Sequence, residues 1–303
     1  MFDIIIIGAG PSGMTAALYA LRAGKSVLIL EKDHIGGQIA NSPRVENYPS
    51  INEISGLDLA NKMFEQIVNL GVNFDLEEVI SLTKDEKIFH VKTNYSSYEA
   101  KSVIIATGVS HRKLNIPGEE EFNGKGVSYC AVCDGAFYKG EDVVVIGDAN
   151  TALQYSLLLS NYCKSVTICT LFDKFFAEKI LVDRLKERNN IAIYHNLSAV
   201  EIKGEEEVNE VIFKNTLTEK KESFKTKAVF IAIGQIPHNE NFKNLANLDE
   251  HGFIKVDSHM ETNVKGLFAV GDCTQKEVRQ VVTADNDGAI ASVYAVNYID
   301  SLK

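Results

Sequence analysis

No stretch of the 303-residue chain approaches the ~20 consecutive apolar residues of a membrane-spanning helix, so no membrane partner is expected. Positive charge is scarce as well. Thirty-one Lys and Arg stand against 41 Asp and Glu, a net charge of -10, which argues against nucleic acid or an anionic surface as a partner. The opening MFDIIIIGAG carries an acid, no basic residue and only a short apolar run, so a secretory signal is not expected there. Cysteine is sparse and odd in number: five residues with one close pair suit a reducing cytosol better than a disulfide scaffold. Low-complexity segments are missing too. What remains is a cytoplasmic globular chain, long enough for two domains of ordinary size.

The chain repeats itself. Asp3-Ile-Ile-Ile-Ile-Gly8 matches Asp142-Val-Val-Val-Ile-Gly147, 139 residues on, and the same offset lays Lys25-Ser26-Val27 on Lys164-Ser165-Val166. A second echo pairs Lys101-Ser-Val-Ile-Ile-Ala-Thr-Gly108 with Lys227-Ala-Val-Phe-Ile-Ala-Ile-Gly234. Each half reads as strand, glycine turn, helix and strand, then a later buried strand ending in glycine, which is the βαβ nucleotide-binding unit used twice. Alternating segments such as Ile88-Phe-His-Val-Lys and Val211-Ile-Phe-Lys predict a small antiparallel sheet in each half. Polar crossings at 112–117 and 237–241 mark the boundaries, and a strand at 266–272 and a helix from about Asp285 close the chain. The expected fold class is α/β, with two Rossmann-like three-layer nucleotide-binding domains of the FAD/NAD(P)-binding fold, the second inserted into the first. The domains are 1–113 with 242–303, and 114–241.

Gly8-Ala-Gly10-Pro11-Ser12-Gly13 is a complete G-x-G-x-x-G between a strand and the helical pattern Met14-Thr-Ala-Ala-Leu. Glu31 closes the next strand, 23 residues after Gly8, where a carboxylate accepts ribose hydroxyls. Gly271-Asp272 points to flavin in particular, since a carboxylate at a strand end beside glycine suits a ribityl hydroxyl. The second signal is Tyr129-Cys130-Ala-Val-Cys133-Asp134-Gly135. Its C-x-x-C spacing is open to three readings: a reversible redox disulfide, zinc, or buried structural thiols. Zinc wants a second ligand pair, and Cys163, Cys169 and Cys273 lack that spacing, so no metal is expected. The redox reading is favoured by the carboxyl that follows and by the flavin expected independently.

GAGPSG, Gly36-Gly37-Gln38, Glu46-Asn47-Tyr48-Pro49, CAVCDG, and GDC followed by Arg279-Gln280 resemble, in order and spacing over the full length, the low-molecular-weight thioredoxin reductases. That resemblance implies a homodimer with FAD in the discontinuous domain and the CxxC in the inserted one. It also implies Cys133 nearer the flavin, Asp134 managing protons during disulfide exchange, and a thioredoxin as substrate. Gly37, Gln38, Asn47, Asp272, Arg279 and Gln280 match positions lining the FAD site. Val79, Thr107, Gly108 and Val281 are expected to join them.

The second glycine turn departs from that family. Ordinary members carry GGGxSA and then a His-Arg-Arg cluster, with another Arg further on, for the 2'-phosphate of NADPH. Here the turn is Gly147-Asp-Ala149-Asn-Thr-Ala, and the counterpart of Glu31 is Thr170. Between Thr151 and Asp173 the only basic side chain is Lys164, and Leu171, Phe172 and Phe176 stand where arginines are expected. The pattern resembles the ferredoxin-dependent flavin thioredoxin reductases, which makes reduced ferredoxin the expected donor. Lys174 and Lys179 could instead replace the arginines in a NAD(P)H-dependent thioredoxin or peroxiredoxin-system reductase. A non-catalytic flavin redox sensor is the third reading.

Overall fold

The computed structural model describes residues 1–302, and the chain divides into two compact units. One comprises Met1–Ser110 together with the segment from Ile236 onward, the other His111–Gln235. The crossings thus fall a few residues before the 113/114 and 241/242 boundaries read from the polar segments.

The first unit opens with β1 (Phe2–Ile7), α1 (Pro11–Arg22) and β2 (Val27–Glu31). There follow α2 (Gly56–Val68), β3 (Asn73–Leu76), β4 (Val79–Asp85), β5 (Ile88–Thr93), the long β6 (Ser97–Ile105) and the short β7 (Val109–His111). The sheet order is β3-β2-β1-β6-β5-β4. Strands β1 to β3 and the later part of β6 run parallel, while β5 pairs antiparallel with the beginning of β6 and β4 pairs antiparallel with β5. The antiparallel sheet expected in this half is therefore an extension of the main one, because a nine-residue β6 serves both. Ile4 and Ile6 are buried with Ala16 and Ala20 of α1, whereas Ile5 and Ile7 are buried on the other face with Leu28 and Leu30. An unbroken apolar run is what a strand covered on both faces requires.

The second unit contains β8 (Val127–Ser128), the one-turn helix α3 (Ala131–Asp134), β9 (Asp142–Ile146), α4 (Asn150–Leu159), β10 (Ser165–Cys169), α5 (Lys179–Lys186) and β11 (Ile191–Tyr194). Next come β12 (Leu197–Gly204), β13 (Val208–Asn215), β14 (Lys221–Lys225) and β15 (Ala228–Ile231). A parallel sheet β11-β10-β9-β15-β8 carries a separate antiparallel sheet, β12-β13-β14. The internal repeat holds at the level of register. Ile4 faces Val27 and Ser102 across β2 and β6, and Val143 faces Val166 and Ala228 across β10 and β15.

Strand β16 (Gln235–Pro237) pairs with β7, so the two crossings run side by side. Back in the first unit, β17 (Leu267–Ala269) adds to β6, and α6 (Val281–Ser301) packs on α1 through Ala291 and Ala295. A methyl group at Gly288 would overlap the Ser12 carbonyl oxygen, so glycine is what lets α6 approach the turn. Helix α6 begins at Val281 rather than near Asp285. The β-branched Val281-Val-Thr283 reads as extended, but Gln280 and Thr283 close a reciprocal capping box that starts the helix there. Among the described residues no helix is long and apolar enough to cross a membrane.

Candidate active site

The turn between β1 and α1 is shaped by its glycines. Gly8 has φ +115°, and a side chain there would overlap the Ala106 carbonyl; one at Gly13 would overlap the Gly8 carbonyl. Gly10 differs, because a Cβ there would meet open space. It is the N-cap of α1, has no side-chain cap, and is followed by Pro11. The first N–H groups of a 12-residue helix therefore border a space that an anion can enter. Glu31 stands beside it. Its Oε2 accepts the Ala9 N–H at 2.8 Å and its Oε1 the Asp33 N–H at 2.9 Å, leaving further lone pairs for hydroxyl donors.

Other sequence-separated residues converge on this turn. Gly36 donates to the Ala9 carbonyl at 2.8 Å, and a Cβ on Gly37 would lie 3.7 Å from the Gly10 Cα. Gln38 donates through Nε2 to the Val109 carbonyl. Gly271, at φ +71°, leaves room for Ser12, whose Oγ would come within 2.6 Å of a Cβ there. Asp272 is half-buried, and its Oδ1, shielded from solvent, has no hydrogen-bond partner. Burial pushes this carboxyl up from its ordinary range, while Lys276 and Arg279 pull it down. A buried carboxylate oxygen without a donor is costly unless a ligand hydroxyl supplies one. Arg279 lies over the Phe253 ring at 4.4 Å and donates to the Asp272 and Thr274 carbonyls. Asn47 reaches Gln280 Oε1 at 3.1 Å, one residue before Val281 opens α6. Thr107 donates to Asn239 at 3.1 Å, and Gly108 takes φ +62°. Val79 is buried in the cluster that contains Phe242, and its carbonyl accepts Asn241.

Two supporting groups carry no sequence signal. Asn239 also donates to the Gly252 and Cys273 carbonyls, bracing the Gly271 turn. Buried Asp287 accepts the Gly271 N–H at 3.0 Å and pairs with Lys276.

In the second unit β8 ends at Ser128, and Cys130 caps α3. Cys130 and Cys133 form a disulfide, with the Cys133 N–H 3.1 Å from Cys130 Sγ. Ala131 is buried and Val132 exposed. The preceding Tyr129 stacks on His111 at 5.0 Å and donates its hydroxyl to Glu119 at 2.8 Å. Glu119, itself buried, also accepts the Leu114 and Asn115 N–H groups. Burial lowers His111 to about 4 and raises the Tyr129 hydroxyl, helped there by Glu119. The remaining cysteines are buried and free, and burial pushes Cys163 up to about 11 and raises Cys169 and Cys273. These are inert thiols. Among the described residues no cluster could hold a metal ion.

The second glycine turn repeats the packing of the first with different side chains around it. A side chain on Gly147, φ +151°, would overlap the Ala232 carbonyl, the same close approach that Gly8 makes to Ala106. Ala149 replaces Gly10 as the exposed N-cap of the following helix. Where Glu31 reaches back to its turn, Thr170 is fully buried and turned inward, its Oγ1 2.7 Å from both the Phe172 carbonyl and His195 Nδ1. Leu171, Phe172 and Phe176 are exposed, and the two phenylalanines meet edge to face at 5.3 Å. Lys174 lies over the Phe176 ring, and Lys179 pairs with Asp183 at 2.5 Å.

Two nucleotide-type folds, one with an intact cradle and one with a disulfide, define a flavin- and disulfide-dependent oxidoreductase. Residues 2–288 match the family model for pyridine nucleotide-disulphide oxidoreductases. The chain is 43% identical over 307 residues to thioredoxin reductase of Bacillus subtilis (strain 168), covering all of this chain and 96% of the relative. It is also 43% identical over 300 residues to a Clostridium pasteurianum protein named as a 34.2 kDa protein in the rubredoxin operon, covering 98% and 97%. The crystal structure of thioredoxin reductase from Streptococcus pyogenes MGAS5005 aligns over 99% of both chains, with a TM-score of 0.96 and 41% identity. The chain belongs to the low-molecular-weight thioredoxin reductase family. The cofactor of that family is FAD, and the open edge at Gly10, the Glu31 carboxylate and the orphan Asp272 oxygen fit it.

Proposed function

We propose that this chain is a ferredoxin-dependent thioredoxin reductase, a cytoplasmic homodimer that passes electrons through FAD and the Cys130–Cys133 pair to a thioredoxin. In this reading residues 1–113 and 242–303 form the FAD domain, and 114–241 the domain bearing the disulfide. Gly8, Gly10, Pro11, Ser12 and Gly13 hold the pyrophosphate, and Glu31 the adenosine ribose. Asp272 accepts a ribityl hydroxyl, and Gly37, Gln38, Asn47, Val79, Thr107, Gly108, Gly271, Arg279, Gln280 and Val281 complete the pocket. Bound FAD supplies the conversion of one-electron deliveries into the two-electron reduction of a disulfide. The chain's own residues do the rest. Cys130 and Cys133, once reduced, give two electrons and two protons to the thioredoxin disulfide: one thiolate attacks it, the second displaces the mixed disulfide, and Asp134 carries a proton between thiol and solvent.

The observation that carries the choice of donor is Thr170. The group that should contact an incoming nucleotide is a buried hydroxyl held by the Phe172 carbonyl and His195, and the exposed Leu171 and Phe172 that follow it carry neither a carboxylate for a ribose nor a guanidinium for a 2'-phosphate. A low-potential iron–sulfur donor near -400 mV and a thioredoxin near -270 mV differ by about 130 mV, or ~6 kcal/mol for two electrons. The relative named for a rubredoxin operon agrees with an iron-protein donor. Reading the chain as a NAD(P)H-dependent reductase would assign Lys174 and Lys179 to the phosphate, but Lys179 is engaged with Asp183. Anaerobic bleaching of the flavin by NADPH, NADH and reduced ferredoxin, side by side, tests the proposal. Only ferredoxin should reduce it. A non-catalytic sensor would bleach without sustaining steady-state thioredoxin reduction.

A further inference from the structure

Ser128 is buried at the end of β8, two residues before the redox pair, and its one hydroxyl serves two partners. It stands 2.6 Å from Asp134 Oδ2, as donor, and accepts the Cys130 backbone N–H at 3.0 Å. The Cys130 carbonyl, at 3.4 Å, is the weaker alternative acceptor. A hydroxyl has a single proton, and at 2.6 Å it belongs to the carboxylate, which leaves a lone pair for the amide. Oriented in this way, Ser128 ties the first cysteine and the acid following the second into one ring. The ends of the ring are held as well: Asp134 donates its N–H to the Cys130 carbonyl at 3.0 Å, and Tyr155 donates to the Tyr129 carbonyl at 3.3 Å.

We propose that Ser128 is a positioning residue for disulfide exchange, holding Asp134 ionised and aimed at the cysteine pair while fixing the Cys130 backbone. This rests on the reading of Cys130, Cys133 and Asp134 given above. The titratable groups set against the ring are Tyr155 on α4, whose hydroxyl is raised by burial and by Asp134, Tyr162, whose hydroxyl lies against Gly135, Tyr138, and the two cysteines themselves. A donor hydrogen bond favours the ionised carboxyl. Removing it should raise the proton affinity of Asp134 about tenfold, one pH unit.

The test uses the FAD-loaded protein with its dithiol chemically reduced, mixed in a single turnover with an oxidised thioredoxin across pH 4.5 to 8. Ser128→Ala should slow exchange about tenfold and move the acidic limb of the profile up by about one pH unit. Ser128→Thr, which keeps the hydroxyl and suits a strand, should restore both. In an Asp134→Asn background Ser128→Ala should cost nothing further, because the serine acts through the acid. An unshifted limb in Ser128→Ala, or effects of the two substitutions that simply multiply, overturns the assignment while leaving the relay intact. A wild-type dithiol that does not reduce the thioredoxin overturns the relay, and the role of Ser128 with it.

Discussion

Placing arginines beside the second glycine turn tests the proposed donor most directly. Leu171, Phe172 and Phe176 are 48%, 49% and 54% exposed, so Leu171→Arg and Phe172→Arg remove little packing and should leave stability within ~0.5 kcal/mol. Ala149→Gly opens the backbone at the exposed N-cap of α4 without touching the Gly147 contact with Ala232. Each charge-assisted contact from a guanidinium to the 2'-phosphate contributes ~1.5–3 kcal/mol. Two of them amount to ~3–6 kcal/mol, a gain of ~10²–10⁴ in affinity. Wild-type protein should therefore show no flavin bleaching with millimolar NADPH, and the triple variant should bind NADPH in the micromolar range. Anaerobic titration followed by flavin absorbance measures both, and reduced ferredoxin should bleach the two proteins alike. Wild-type protein that binds micromolar NADPH and bleaches at a catalytic rate would refute the reasoning outright.

The other predictions concern cofactor, disulfide, packing and pH. Acid extraction should release FAD at close to one per chain, and recovery of FMN, which has no adenosine, would contradict the Glu31 assignment. Cys130→Ser and Cys133→Ser should each abolish thioredoxin reduction while flavin absorbance and thermal midpoint hold; substantial activity in either would remove the relay. Gly288→Ala forces a methyl group into the Ser12 carbonyl and should destabilise the FAD unit by ~1–3 kcal/mol, read as a lower melting temperature and faster flavin loss. His111, lowered to about 4 by burial against an ordinary 6.5, is neutral in the folded chain, whereas the unfolded chain takes up a proton as pH falls below 6.5. Its contribution of ~3 kcal/mol is thus present above pH 6.5 and drains away as pH falls toward 4. Urea midpoints followed by far-UV circular dichroism should show that slope, and His111→Phe should flatten it.

The repeat was legible because its parts are local. A strand covered on both faces, a turn whose first glycine meets a neighbouring carbonyl, and a helix behind it demand the same residue types at the same spacing wherever they occur. Offsets between Gly8 and Gly147 and between Ser102 and Ala228 thus became strand register directly. The C-x-x-C pair was legible for the same reason, since three residues of chain bring Cys130 and Cys133 within reach of each other. Helix α6 starts one turn before the expected Asp285, because Gln280 and Thr283 together make a cap that carries the β-branched Val281-Val-Thr283 into the helix.

What tertiary structure alone decided is where polar side chains point. Thr170 could have faced a ligand; His195, 25 residues away on the far side of β11, draws it inward. Asp287 and Asn239 brace the Gly271 turn from segments with no motif, and Glu119 gathers Leu114, Asn115 and Tyr129 around one buried carboxylate. Ser128 looks like any strand serine until the fold sets Asp134 Oδ2 2.6 Å from it. Glycine spacing and apolar runs are written into neighbouring residues because backbone geometry is local. A buried polar group must take whichever donor or acceptor the packed chain brings to it, and packing brings together residues the sequence keeps apart.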